Sequence, residues 1–314
     1  MSKLEQALIF PGQGSQSVGM GKEFYDAFAS AREVFEEVDD SLEQKLSELI
    51  FNGDQSELTL TENAQPALMA VSIAILKTIE KEGGKDISEL ADYLAGHSLG
   101  EYTALCAARA ISISDTAKLL RIRGEAMQSA VPVGQGAMAA VIGLSLEDCN
   151  AVAEAASYDD NLCVVANDNC PGQVVLSGHM KAIDRAISIA PERGAKRSIK
   201  LAVSAPFHCE LMLPAAKKMQ DTLAGIEINA PQVPVIANVS AEPTVDSQSV
   251  RKNLVDQVTG RVRWRETGEN LAKLGVRQTV EVGAGKVLTG MMKRIGGSIN
   301  ALSISTPQDM ESFL

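Results

Sequence analysis

The sequence predicts an α/β chain in which one large, mostly parallel sheet is covered by helices and carries a small inserted subdomain. Short apolar runs alternate with stretches of helical period before residue 133 and again after residue 200, the pattern of parallel strands joined by covering helices. Between them the texture changes: a strand, a helix, two strands around a hairpin signal, a second helix and a last strand give the ferredoxin-like order βαββαβ. The expected division is therefore 1–132 with 201–314 for the large subdomain and 133–200 for the small one.

Taken in order, Gln6 to Phe10 is a short apolar strand closed by Pro11-Gly12-Gln13-Gly14-Ser15-Gln16. Helices are expected over Gly21 to Val38, where Phe24, Phe28, Ala31 and Phe35 share a face, and over about Ser41 to Ile50. Asn63 suits the N-cap of a long helix, Ala64 to Lys81, that Gly83-Gly84 closes. Tyr93 to Ala95 reads as a buried strand, followed by helices Glu101 to Ala110 and Ser114 to Val131, the second ended by Pro132. In the small subdomain the strands are Gly136 to Leu144, Leu162 to Asn167, Gln173 to Ser177 and Ser198 to Val203. Its helices are Ser145 to Tyr158, with Glu147 and Asp148 in an acidic first turn, and Lys181 to Arg193. Asp168-Asn169-Cys170-Pro171-Gly172 is the hairpin signal. Alternation then resumes with strand Val233 to Val239, helices about Ser247 to Val258 and Glu266 to Leu274, strand Gln278 to Val282, helix Lys286 to Ile295 and strand Asn300 to Ser305.

Composition narrows the function classes. A net charge of −11 argues against a nucleic-acid binder or a membrane-surface protein. No apolar run reaches the ~18 residues of a membrane span, and the region after Met1 has no basic-then-apolar signal segment, so a cytoplasmic location is expected. Cys106, Cys149, Cys163, Cys170 and Cys209 are scattered with no C-x-x-C pair, which fits reduced thiols and no metal site.

Gly96-His97-Ser98-Leu99-Gly100 sits between the Tyr93 strand and a helix, the context in which Gly-x-Ser-x-Gly forms a nucleophile elbow and the large subdomain becomes α/β-hydrolase-like. The serine occupies the tip of a strained turn, so its flanks must lack side chains that would collide with strand or helix. Its base must come from three histidines. His97 adjoins Ser98, where neighbouring side chains diverge, and reads as structural. His179 ends a hairpin strand and reads as a surface or satisfied core residue. His208 follows a strand end, and at such ends the sites of parallel sheets gather, which makes it the base by elimination and position.

Phe10-Pro11-Gly12-Gln13-Gly14-Ser15-Gln16, the elbow with Glu101, Arg121-Ile122-Arg123-Gly124-Glu125-Ala126-Met127-Gln128, Val203-Ser204-Ala205-Pro206-Phe207-His208-Cys209, Asn238-Val239 and Glu281-Val282-Gly283-Ala284-Gly285-Lys286-Val287-Leu288 occur in that order along the chain. Together they resemble the malonyl-CoA:acyl-carrier-protein transacylases of bacterial type II fatty-acid synthesis. The resemblance implies that Ser98 is acylated, that His208 is general base and then general acid, and that Arg123 binds the malonyl carboxylate. It further implies an oxyanion hole from the backbone N–H groups of Gln13 and Leu99, and a Gln257 backbone carbonyl in place of a triad acid. Phe207 and Met127 would contact substrate, with the bulk of Phe207 disfavouring an α-methyl branch. Malonyl-CoA is then the substrate, acyl carrier protein the partner, and no bound cofactor is required. Ala284 stands where the family pattern leads one to expect proline, at a cost in loop rigidity but to no catalytic role.

The roles make chemical sense. An arginine fork matches a carboxylate bidentately, and a hydrogen bond to a charged group is worth roughly 1.5–3 kcal/mol, about 10- to 150-fold in selectivity. The competing reading of Arg123 is a solvated helix face beside Lys118 and Arg121. Gly12, Gly14 and Gly19 lack dinucleotide-loop spacing, and Gly283-Ala284-Gly285-Lys286 lacks the rest of a P-loop. A serine thioesterase or esterase is the alternative enzyme, opposed by the absence of an evident late triad acid and of a His-Gly-Gly-Gly loop. A non-catalytic carrier scaffold is opposed by an intact Ser98, His208 and Arg123. The carrier is acidic, as is this chain, so docking is expected on local basic patches: Lys196 and Arg197 with Lys200, and Lys286 with Lys293 and Arg294. No large unexplained apolar stripe appears, so a monomer is expected.

Overall fold

The computed structural model describes residues 4–203, 205–296 and 299–314; Ser204 of the histidine segment and the residues directly after Met1 lie outside these. Ten strands run through the described residues: β1 (Gln6–Phe10), β2 (Tyr93–Gly96), β3 (Gly136–Ile142), β4 (Cys163–Cys170), β5 (Gln173–His179), β6 (Arg197–Lys200), β7 (Val235–Ile236), β8 (Pro243–Thr244), β9 (Gln278–Val282) and β10 (Asn300–Ile304). The first half of the chain carries helices α1 (Lys22–Ala27), α2 (Ala29–Leu42), α3 (Leu46–Asn52), α4 (Gln55–Thr59), α5 (Thr61–Gly83), α6 (Ile87–Leu90), α7 (Leu99–Ala107) and α8 (Ile113–Ser129). The rest carries α9 (Leu146–Ala156), α10 (Met180–Ile189), α11 (Leu213–Ala224), α12 (Ser247–Thr259), α13 (Trp264–Lys273), α14 (Val287–Ile295) and α15 (Pro307–Phe313).

The large sheet has the order β10-β9-β1-β2-β7-β8 and is parallel except for β8, which pairs antiparallel to β7 at the edge. The small sheet is antiparallel with the order β4-β5-β3-β6, the ferredoxin-like arrangement. Strand β1 shows why the large-sheet strands read as unbroken apolar runs. Leu8 and Phe10 enter the core on one face while Ala7 and Ile9 enter a second core on the other. Helix α5 is buried on nearly every side, as a helix apolar all round must be. The small sheet closes a separate core with α9 and α10.

Phe10 pairs with Gly96 in register, so the loop after β1 and the elbow after β2 leave the sheet side by side. This juxtaposition founds the site.

Several expected boundaries shift for identifiable reasons. The helix expected from Gly21 to Val38 breaks at Phe28, whose backbone is extended; Arg32 Nη1 donates to the Tyr25 and Asp26 carbonyls that the break exposes. The next helix is displaced to α3, after Glu43 turns left-handed at φ 49°. Asn63 is not an N-cap: α5 begins at Thr61, and the Asn63 amide donates to the Glu57 carbonyl. The expected hairpin loop 168–172 is mostly strand, because two bulges let β4 run on to Cys170 and leave Pro171-Gly172 as the turn, with Gly172 at φ 70°. The strand expected from Val233 to Val239 is only Val235–Ile236, and β6 stops at Lys200. Helices α4, α6, α11 and α15 and strand β8 were not anticipated.

Helix α8 crosses α5 at Gly124, where an added Cβ would lie 2.6 Å from Glu62 Cα and 2.8 Å from the Thr61 carbonyl oxygen. Gly→Ala inside an unhindered helix stabilises by up to about 1 kcal/mol. At Gly124 the sign should reverse, because backbone must move: Gly124→Ala is expected to cost roughly 1–3 kcal/mol, read as a lower urea midpoint.

Candidate active site

Strand β2 delivers the chain into a turn that only small residues allow. A Cβ on Gly96 would lie 1.9 Å from the Gly100 carbonyl oxygen, and one on Gly100 would lie 2.4 Å from the Phe10 carbonyl oxygen. Ser98 between them adopts φ 53°, ψ −110°, a conformation costing of order 1–3 kcal/mol that its surroundings must enforce. Asn238, fully buried, supplies that enforcement: its Oδ1 accepts from Ser98 N at 2.7 Å and its Nδ2 donates to the Gly96 carbonyl at 2.7 Å. Because Leu99 opens α7, its N–H has no carbonyl one turn back to bond.

His208 is buried and left-handed at φ 58°. Its Nδ1 lies 2.8 Å from the Gln257 carbonyl oxygen and 3.1 Å from that of Gly260, both pure acceptors, so Nδ1 carries the proton. Nε2 is therefore the acceptor for the Ser98 hydroxyl, 2.8 Å away. Burial, then the Arg123 charge, pull the imidazole down to a pKa of about 3, while the two carbonyls oppose the shift. The route to this position differs from expectation. The strand before His208 is the edge of the small antiparallel sheet rather than a parallel strand, and irregular chain brings the histidine back to the elbow. The C-terminal end of α12, whose last carbonyls lack intrahelical partners, then receives its Nδ1–H.

Arg123, only 1% exposed, projects from α8 onto the same hydroxyl. Nη2 donates to Ser98 Oγ at 3.0 Å and to Gln257 Oε1 at 2.9 Å, and Nη1 donates to Gln65 Oε1 at 2.7 Å. Its guanidinium carbon is 5.4 Å from the Tyr102 ring centre. Nε is buried without a partner, and among the described residues no carboxylate forms an ion pair with this arginine. Burial lowers its affinity for the proton, opposed by Tyr102 and Glu101. Glu101, on α7, accepts from Gln257 Nε2 at 2.7 Å and from Asn238 N at 2.9 Å, and burial raises its pKa to about 7.

These groups open on a cavity of about 400 Å³, which Gln13, Leu99, Met127 and Phe207 also line. Of the residues expected at the centre, Ser98, His208, Arg123 and Gln257 are brought into direct contact. His97 is held aside, its Nε2 donating to Asn169 Oδ1 at 2.9 Å and its ring 5.6 Å from that of Trp264. His179 Nδ1 accepts from Leu162 N. Gln65, Asn169 and the Glu101 carboxylate carry no role in the sequence reading; Gln65 is hidden in an apolar helix and Asn169 in an apparent turn. The two basic patches meet near the β4–β5 turn. Arg294 donates to Gln173 Oε1 and the Pro171 carbonyl, and Lys196 packs on Gly143, whose backbone neighbours Gly172. Lys286 caps α14, whose Leu288 and Met291 line the cavity. All five cysteines are buried and unpaired, and among the described residues no group of His, Cys, Asp and Glu could hold a metal.

Comparison with known proteins matches the chain over nearly its whole length. The family model for acyl transferase domains matches residues 7–306. The malonyl CoA-acyl carrier protein transacylase of Bacillus subtilis is 46% identical over 311 residues, covering 99% of this chain and 96% of that protein. A crystal structure of acyl-carrier-protein-S-malonyltransferase from Bartonella henselae superposes with a TM-score of 0.96 at 52% identity, covering 98% of each chain. A malonyl-transacylase solved in complex with its type II polyketide-synthase acyl-carrier protein gives a TM-score of 0.94 at 40% identity, covering 99% of this chain and 98% of that one.

The depressed basicity of His208 has a consequence for stability. Below its unfolded value of 6.5 the unfolded chain binds a proton that the folded chain refuses until about 3, so stability drains as pH falls through this window. His208→Asn, chosen because asparagine tolerates positive φ, removes this component. Melting curves between about pH 7.5 and 4.5 should show the wild type losing more Tm than the variant; equal losses would refute the assignment.

Proposed function

The chain belongs to the family of malonyl CoA-acyl carrier protein transacylases, and on that premise we propose that it transfers the malonyl group from malonyl-CoA to the phosphopantetheine thiol of acyl carrier protein, for fatty-acid biosynthesis, through a malonyl-Ser98 ester. One observation carries the reading: a single hydroxyl touches both a neutral imidazole nitrogen and a buried guanidinium. In a malonyl thioester the carboxylate carbon stands about 2.5 Å from the carbonyl carbon under attack, so the group that binds the carboxylate must lie beside the nucleophile. A simple esterase has no use for a cation there.

The steps follow a ping-pong order. Ser98 Oγ attacks the thioester carbonyl as its proton passes to His208 Nε2, and the oxyanion faces the N–H groups of Gln13 and Leu99. Collapse breaks the C–S bond, and CoA leaves with the proton from His208. The carrier thiol then reverses the sequence. Arg123 leaves Ser98 Oγ for the malonyl carboxylate, with its unpartnered Nε–H a further donor. Phe207 and Met127 form apolar wall around the acyl group. In this reading no bound cofactor is used, and 1–132 with 201–314 act as the catalytic subdomain with 133–200 closing the cavity. The protein works as a cytoplasmic monomer, and its unpaired thiols suit a reducing compartment. Among the described residues no helix is long and apolar enough to cross a membrane.

Intact mass after incubation with malonyl-CoA should show a malonyl adduct on the wild type and none on Ser98→Ala. Arg123→Ala should shift labelling toward acetyl-CoA by about 10- to 150-fold in rate ratio. Steady CoA release with no adduct would favour the hydrolase. Carrier docking is assigned to Lys196, Arg197, Lys286 and Arg294, of which Arg294 also braces the β4–β5 turn. Reversing Lys196 and Lys286 together should raise KM for the carrier several-fold and leave that for malonyl-CoA unchanged; an unchanged carrier KM places the docking face elsewhere.

A further inference from the structure

We infer that Glu101 is a positioning residue for malonyl selectivity, acting through Gln257: its carboxylate fixes which way the Gln257 amide points, and that amide fixes Arg123. A glutamine side chain is a donor at one end and an acceptor at the other, so its direction is set by what meets each end. The Nε2 end of Gln257 meets two acceptors, Glu101 Oε2 at 2.7 Å and the Ser98 carbonyl at 3.0 Å. Its Oε1 is thereby turned to accept from Arg123 Nη2 at 2.9 Å. Reversed, the amide would set its N–H donors against the guanidinium and its oxygen against the Ser98 carbonyl and the ionised Glu101 carboxylate, a repulsion at both ends.

The neighbours of the carboxylate support the assignment. Gln257 is fully buried and Glu101 is 2% exposed, so water cannot take over either bond. Glu101 Oε2 also accepts from Asn238 N, and Asn238 braces the Ser98 turn, so one oxygen registers α7 against both the clamp and the nucleophile. The hydrogen-bonded link from the carboxylate to the arginine runs through the amide. This leaves Arg123 positioned but without a salt bridge, as a group needs to be if it is to receive a substrate carboxylate.

The inference rests on the reading of Arg123 as the malonyl clamp, and the test separates the two. Glu101→Asp keeps the charge but retracts the acceptor by about 1.5 Å, the length of one C–C bond. Glu101→Gln removes the charge and keeps an acceptor oxygen in place. Single-turnover acylation rates are measured with malonyl-CoA and acetyl-CoA. The malonyl-to-acetyl ratio should fall about tenfold in Glu101→Asp and stay within about threefold of wild type in Glu101→Gln. A merely structural lesion would lower both rates together and leave the ratio alone. Gln257→Met, which keeps the backbone carbonyl for His208, should reproduce the Glu101→Asp ratio, and the double variant should add no further loss. A preserved ratio in Glu101→Asp, a lost ratio in Glu101→Gln, or additive losses would each overturn the inference. Arg123→Ala is run alongside: if it leaves the ratio unchanged, the clamp reading fails and this one with it; if it collapses the ratio while Glu101→Asp does not, only the role of Glu101 fails.

Discussion

Arg123 is an ionised guanidinium almost wholly removed from water, and its hydrogen bonds go to a hydroxyl and two amide oxygens. Burying a charge costs several kcal/mol unless something compensates, and a direct carboxylate would be the usual compensation. Such a partner would also occupy the fork that the proposed reading offers to the malonyl carboxylate. Neutral acceptors, the face of Tyr102 and a carboxylate one amide away spread the compensation and leave the charge available. The same charge acts on its neighbours. Burial does most to lower the basicity of His208 and this charge adds to it, so the imidazole waits as a neutral acceptor; by donating to Ser98 Oγ the guanidinium also directs the hydroxyl proton toward Nε2. In the proposed reaction, substrate charge and hydroxyl orientation thus both depend on one buried cation. The weakened base is assisted when it matters, since the carbonyls at the end of α12 stabilise imidazolium as it forms.

Holding such a group requires a frame that does not yield. The strained Ser98 backbone is enforced by near-contact between Gly96, Gly100 and the end of β1, and by the Asn238 amide spanning the turn. The short β7 is part of this arrangement. The strand ends its ladder at Ile236, and Asn238, two residues on, gives its side chain to the elbow and its backbone N–H to Glu101 Oε2 rather than to a neighbouring strand. Strand length has been exchanged for catalytic geometry.

How much of this was legible follows from which forces are local. Strands β1 and β9 fall on their expected residues: β1 is an apolar run with turn residues after it, and in β9 Val280 and Val282 alternate with Thr279 and Glu281 before the turn at Gly283. The elbow was readable because backbone sterics demand glycines at fixed positions, and the base because only three histidines exist. What escaped depends on distant partners. Gln65 reads as one polar residue in an apolar helix until α8 places Arg123 against it. Asp168 and Asn169 have turn chemistry, yet β4 continues through them because Arg265 and His97 satisfy their side chains from the large subdomain. The break at Phe28 turns on an arginine one helical turn later. Periodicity sees none of these.

The bulged β4 also explains how two separate cores can share one cavity. A regular strand alternates its side chains and would send Asp168 and Asn169 to opposite faces. The register shifts re-aim this stretch, and both side chains reach the large subdomain: Asp168 in a buried ion pair with Arg265 on α13, Asn169 on the histidine beside the nucleophile. Breaking either contact would leave a buried polar group unpaired, so the small sheet is registered to the elbow by polar bonds rather than by apolar contact alone, which tolerates sliding. Registration has chemical value here. In the proposed mechanism an acyl-serine ester must survive until a thiol arrives on a long arm, which requires that the wall opposite Ser98 neither drift open to water nor close on the arm. A wall pinned at Asn169 and continued by Met138, Val175 and Leu201 of the small sheet and its exit chain meets both demands.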